Sequence, residues 1–247
     1  MEWIDEGLVL SRRRLGENDA VVALFTAGHG RHLGAVRGGA GRRHGGTLQP
    51  GNLVAATWRA RLPEQLGTMA CELREALAAR LLDDPPRLET LSSCLELLDA
   101  VLPERQPHPE LHAATRALLQ ALDAPGYAAS HVRWELGLLT ALGFGLDLSA
   151  CAATGEVQDL THVSPRSGRA VSREAARPYA GRLLALPRFL LDGAGEEGAP
   201  GLDVAAGLAL TGHFIERHLL APAGRAMPPA RARLVDRVTR AARLRGP

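Results

Sequence analysis

The sequence predicts an α+β fold: an N-terminal five-stranded β-barrel of the OB type, then an α-helical domain carrying a degenerate zinc-ribbon-like insertion. Three observations carry this expectation. Over the first eighty or so residues, short runs of β-branched and apolar residues are separated by glycine, the punctuation of strands and tight turns. After Leu73 the apolar period changes from two to about 3.6. Gly143 to Ala175 then has the layout of a small zinc ribbon from which the metal ligands are missing.

The strands are expected at Ile4 to Leu10, Ala20 to Thr26, Arg31 to Val36, Leu53 to Ala60 and Leu66 to Leu73. Gly28-His29-Gly30 is a tight turn, and Gly38 to Gly46 is a glycine-rich excursion. Five short strands in succession suit an OB barrel, with a small SH3-like barrel as the rival. Helical periodicity begins at Arg74 to Leu82, and Asp83-Asp84-Pro85-Pro86 breaks it. Leu91, Cys94, Leu95, Leu98, Val101 and Leu102 share one helical face, so Cys94 reads as a small core residue. Further helices fit Pro109 to Leu122, Tyr127 to Leu142, Ser172 to Leu186, Leu202 to Leu220 and Pro228 to Leu244, with Asp192 to Gly201 a loop. The domains are drawn at residues 1–80 and 81–247, the ribbon-like insertion at about 144–171.

In the ribbon, Cys151 stands where a first knuckle would open, but Thr154 occupies the second position. Gly168 to Ser172 supplies no thiol for closing the site. Structural zinc needs four ligands, so no metal and no cofactor is expected; Phe144, Leu146, Leu148, Leu160 and Val163 are expected to pack the ribbon onto the helices instead.

The net charge is only +2, but it is unevenly spread. Between Arg12 and Arg61 nine arginines face only Glu17 and Asp19, and from Arg225 onward seven face only Asp236. A polyanionic partner would feel both clusters. Candidate contacts to nucleic acid are Arg12, Arg13 and Arg14 after the first strand, Arg37, Arg42 and Arg43 in the glycine-rich loop, and Arg59 and Arg61 flanking Trp58. The loop lacks the Gly-Lys-Ser/Thr ending of a nucleotide-binding P-loop; its low bulk suits close approach to phosphodiesters. Trp58 is either barrel core or a ring on which a base could stack.

No enzyme is expected. His108 and His112 bracket Glu110 without the zinc-protease order, His213 and His218 diverge on a helix, and there is no GxSxG elbow or deaminase signature. Three scattered cysteines suit a reducing compartment. The acidic start MEWIDEGLVL is unlike a secretory leader, and no long apolar run appears, so a cytoplasmic location away from membranes is expected.

Taken with the segment Gly16-Glu17-Asn18-Asp19 after the first strand, the run Arg133-Trp134-Glu135-Leu136-Gly137-Leu138-Leu139 and the step Leu142-Gly143-Phe144-Gly145 into the ribbon, the whole chain resembles the RecO family of bacterial recombination mediators. The resemblance implies a DNA repair protein that binds single- and double-stranded DNA, anneals complementary strands, and helps the RecA recombinase load onto DNA coated with single-strand-binding protein. It implies RecR and the acidic C-terminal tail of that coating protein as partners. Such a tail needs a cation for its carboxylates, and Arg133 and Arg231 stand at the matching positions. An OB-fold RNA-binding factor and a non-enzymatic protein adaptor are the alternatives, because a barrel with arginines does not by itself distinguish ribose from deoxyribose.

Overall fold

A computed structural model describes residues 1–179, 181–191 and 201–244, and the chain divides into two compact units, 1–119 and 120–247. In the first, five strands, β1 (Glu2–Leu15), β2 (Asp19–Thr26), β3 (Gly30–Val36), β4 (Leu53–Arg59) and β5 (Thr68–Glu75), form a ring in the order β1-β2-β3-β5-β4. β1 serves two neighbours: Glu2 to Leu8 pair with β4, and Gly7 to Leu15 with β2. The overlap falls at Gly7 and Leu8; at Gly7 a Cβ would stand 3.0 Å from Thr26 Cγ2 and 3.1 Å from Leu24 Cβ, so a bare backbone suits the crossing. β3 and β5 meet only through the parallel pair Ala35 and Thr68. This is the partly open Greek-key barrel of the OB fold that the sequence predicts.

Alternate side chains fill the barrel, with Val9, Val22, Leu24, Val36, Val54, Ala56, Trp58 and Met69 as its buried core. The other face of β1 turns to the helices. Leu10 lines a crevice with Leu88, Leu91 and Leu95 of α2 (Pro85–Val101), and Phe25 meets the ring of His112 in α3 (Pro109–Ala121) edge-on at 5.2 Å. Asp84 caps α2 by accepting from the Arg87 amide. His112 is thus a packing residue.

One local expectation fails here. The helix expected over Arg74 to Leu82 is instead the end of β5, whose pairing with β4 runs on to Leu53 and Glu75, followed by a 3-10 turn at Ala78–Leu81. A paired edge outweighs a short, weak helical period. The glycine-rich excursion holds a single helical turn, α1 (Arg42–Gly45).

In the second unit α4 (Tyr127–Ala141), α6 (Gly201–Ile215) and α7 (Pro229–Leu244) surround a core of Ala129, Val132, Phe189, Val204, Leu208 and Leu234. A buried ionic group binds the three helices together. The Arg231 guanidinium donates to Glu135 Oε1 at 2.7 Å and Oε2 at 2.9 Å, the Thr211 hydroxyl donates to the same carboxylate, and His131 Nε2 lies 3.3 Å from it. Burial alone would raise the Glu135 pKa; the Arg231 charge and the His131 bond outweigh it and hold Glu135 well below the usual carboxylate range.

The ribbon region is a three-stranded sheet, β7 (Ala170–Ser172), β6 (Leu160–Val163) and β8 (Leu184–Ala185), in the order β7-β6-β8. The helix expected from Ser172 to Leu186 therefore shrinks to one turn, α5 (Arg173–Ala176), and a 3-10 turn; the chain then returns to the sheet, where His162 and Val163 pair with Ala185 and Leu184. The expected helix to Leu220 ends as α6 at Ile215 and continues as a π-helical turn, Glu216–Leu220. Of the expected loop Asp192 to Gly201, only Gly201 lies among the described residues, where it opens α6.

Leu160 and Val163 are buried as expected of the ribbon's apolar set, but Phe144 is 40% exposed. Cys151 is buried, and its sulfur accepts from the Ser172 amide at 3.3 Å. Burial raises the thiol pKa, but hydrogen bonds from Ser172, Thr154 and the Ala153 backbone more than offset it and bring it to about 6. These residues do not fit a zinc site: among the described residues no three of His, Cys, Asp and Glu come together as metal ligands.

Candidate nucleic-acid interface

The arginines of the barrel are sorted by a β-bulge. Val9 pairs with Leu24 and Ser11 with Ala23, leaving Leu10 as the extra residue. Without it, Arg13 would share a face with Val9. With it, Arg12 stands opposite Val22 and Arg14 opposite Ala20, in the inward row at one end of the barrel, and Arg13 turns outward, where its Nη2 lies 3.3 Å from Asp99 of α2. The three arginines lie within β1 rather than in a turn after it.

Arg12 and Arg14 share a crevice with Ala40 of the glycine-rich loop. Arg12 donates to the Ala40 carbonyl at 3.3 Å, and Arg14 donates through Nε and Nη2 to the Glu17 carbonyl. The loop is itself tied to the β1–β2 turn, since the Ala40 amide donates to Asn18 O and the Gly38 amide to Asp19 Oδ1. Arg37, at the end of β3, and Arg42, in α1, are exposed beside this junction. Arg43 lies in the same helical turn.

Beside the loop, where β3 and β5 meet only at Ala35 and Thr68, a cleft of about 630 Å³ opens. Arg37, His44 and Arg59 line it together with Thr57, Thr68 and Cys71. His44 is anchored by Nδ1 donating to the Gly38 carbonyl at 3.2 Å, and Arg59 is held by Glu2 at 2.7 Å. Burial pushes the Cys71 thiol up to about 12, so it stays protonated and hydrogen-bonds weakly. Arg61 is exposed in the β4–β5 loop. In OB folds the face of strands 2 and 3 and the loops joining strands 1–2 and 4–5 take up oligonucleotides, and the arginines here rim those elements.

Trp58 resolves as core: it is 2% exposed and its Nε1 donates to Leu66 O at 2.9 Å. It offers no face for a base. The sequence reading overlooked His44, although it lies inside the glycine-rich segment already singled out.

The two cations considered for an acidic tail differ. Arg231 is 3% exposed and committed to Glu135, so the expectation that it meets a partner is not supported; it holds α7 to α4. A sequence cannot show that a cation in an arginine-rich helix points inward to a carboxylate far back in the chain. Arg133 is partly exposed, donates to the Phe189 carbonyl through Nε and Nη2, and lies 5.4 Å over the Phe189 ring.

Residues 1–76 match the family model Recombination protein O N terminal, and residues 82–225 match Recombination protein O C terminal. The chain is 53% identical over 246 residues to the DNA repair protein RecO of Rhodospirillum rubrum, covering 97% of each chain. It is 54% identical over 243 residues to that of Rhodospirillum centenum, covering 98% of this chain and 96% of the relative. With that of Phenylobacterium zucineum it shares 51% over 245 residues, covering 99% and 100%.

Proposed function

This chain belongs to the RecO family of DNA repair proteins, and from that membership we propose that it binds single- and double-stranded DNA through the basic end of its barrel, anneals complementary strands, and aids RecA loading onto DNA coated by single-strand-binding protein. RecR and the acidic tail of the coating protein are the proposed partners, with Arg133 the proposed cation for the tail. The observation that carries the DNA reading is the gathering of Arg12, Arg14, Arg37 and Arg42 around the glycine-rich loop, next to a cleft edged by Arg37, His44 and Arg59. Guanidinium groups with little bulk between them suit phosphates, and among the described residues no base-reading array accompanies them, so binding should tolerate any sequence. No helix among the described residues is long and apolar enough to cross a membrane.

The test is fluorescence anisotropy with labelled single-stranded DNA across a salt series. Arg37→Glu with Arg42→Glu should lower affinity for all sequences alike and reduce the salt slope by about two. Arg13→Gln, on the other face of β1, should change the slope little. An unchanged slope in the double variant would remove the basic end of the barrel from the interface.

A further inference from the structure

The Gly143-Phe144 step opens onto a stack of aromatic rings in the second unit. α4 ends in a Schellman motif: Gly143 takes φ +87°, its amide donates to Thr140 O at 3.0 Å, and the Phe144 amide donates to Leu139 O at 2.8 Å. This turn places Phe144 on His218, with ring centroids 4.9 Å apart and planes 18° apart. His218 in turn stacks on Phe214 at 6.0 Å and 4°. The inner ring, Phe214, is 1% exposed, and the outer one, Phe144, is 40% exposed. The stack is therefore footed in the core and ends at solvent.

His218 lies in the π-helical turn Glu216–Leu220, an irregularity that recurs at functional sites. A third segment completes the surroundings. The turn between β6 and β7 presents the Pro165 carbonyl, which accepts from Arg217 Nη1 at 3.1 Å and from His213 Nε2 at 3.2 Å. A carbonyl can only accept, so His213 carries its proton on Nε2. Arg217 is exposed, and this bond ties it to the β6–β7 turn. The neighbouring acid, Glu216, acts on the buried Arg231. Burial, Arg217 and His213 each lower the His218 pKa, which favours an uncharged ring between the two phenylalanines.

We propose that Phe144, backed by His218 and Phe214, is a stacking platform for one unstacked base of single-stranded nucleic acid, with Arg217 meeting an adjacent phosphate. The inference rests on the DNA-binding reading above but on none of its arginines. A planar ring at the end of a near-parallel stack matches the face of a base, whereas an apolar peptide side chain is better served by a concave pocket. The Arg217 guanidinium, on the Pro165 carbonyl and near enough for its charge to act on His218, supplies the charge that a phosphodiester requires.

The test compares, for the full chain, an oligonucleotide with bases and one of equal length with abasic sites, so that phosphate number is constant. Wild type should bind the first roughly tenfold more tightly. Phe144→Ala and Phe144→Leu should each bring that ratio close to one, and Phe144→Trp should keep it; Leu retains apolar bulk, so its effect separates lost stacking from lost packing. Arg37→Glu with Arg42→Glu should weaken both oligonucleotides alike and leave the ratio intact. A ratio unchanged in Phe144→Leu overturns the platform while leaving the barrel interface standing. Loss of the ratio in Phe144→Trp as well, with the fold intact by circular dichroism, overturns it too.

Discussion

His32 shows how one side chain ties barrel packing to pH. It is 4% exposed, with Trp3 and Trp58 edge-on at 5.0 Å and 4.7 Å, and neither ring nitrogen has a hydrogen-bond partner among the described residues. Burial, with smaller contributions from the Arg105 and His29 charges, brings its pKa from 6.5 to about 4. Between those values the unfolded chain binds the proton and the folded one does not, so the stabilisation is complete above about pH 6.5 and is lost as pH falls toward 4. The full effect is about 3 kcal/mol. Urea midpoints should therefore fall between pH 7.5 and 5, and His32→Leu should flatten much of that dependence. His112 and His218, also shifted down, would leave a smaller slope of the same sign. Glu135 acts with the same sign at lower pH: its lowered pKa stabilises the fold fully above the ordinary carboxylate value, and that stabilisation is lost progressively as pH falls below it toward the lowered one. The sequence marks His32 only as one residue of a strand. The Trp3 and Trp58 that enclose it come from β1 and β4, which pair in space and not in sequence.

Among the elements, the bulge in β1 decides which arginines face the glycine-rich loop, and its extra residue also gives Leu10 to α2. The period of two was readable in strands with one buried row, such as β3, and not in the run Val22 to Thr26 of β2, where both rows are buried; nor was the slip of phase at Leu10, since Leu-Ser-Arg-Arg-Arg fits either register. Ser172 to Leu186 carries helical spacing, yet Leu184 and Ala185 become a third strand because β6 offers them an open edge. Long elements with a sustained apolar stripe, such as α2 and α4, lie close to where periodicity puts them. Asp99 is where a helix grips the barrel. It lies 2.7 Å from Arg31 Nη2 and 3.3 Å from Arg13 Nη2; Arg31 and Asp99 are only 12% and 11% exposed. Asp99→Ala should cost about 3 kcal/mol in chemical denaturation, because it leaves the Arg31 cation largely desolvated with only the more exposed Glu104 at 3.3 Å. Arg13→Ala, whose side chain is 75% exposed, should cost under about 1 kcal/mol. Equal losses from the two would assign the whole effect of Asp99 to the exposed pair and none to the buried one.

At the scale of the whole molecule, the question is what must accompany the barrel for it to fold. Residues 1–80 hold all five strands, and the family's N-terminal match ends near there, at residue 76. The compact unit nevertheless runs to Leu119. The reason lies on the face of the barrel opposite its core. Leu8, Leu10, Ala23 and Phe25 are all at most 3% exposed, although they lie outside the cluster that fills the barrel. Phe25 is covered at His112, Leu10 at Leu88, Leu91 and Leu95, and the charged residues Glu6, Arg13 and Arg31 meet Arg116, Asp99 and Asp99 again. Baring a Phe and two Leu side chains would forfeit about 1.5–3 kcal/mol each, a large share of the stability of so small a domain. We therefore propose that the working barrel unit is the chain to about residue 119. A fragment of residues 1–119 should unfold in one cooperative transition and bind single-stranded DNA with a salt slope near that of the full chain. A fragment of residues 1–80 should expose the Phe25 face, bind a hydrophobic dye and associate in solution. If the shorter fragment instead melts cooperatively at the temperature of the longer one, the helices are passengers and the boundary belongs where the strands end.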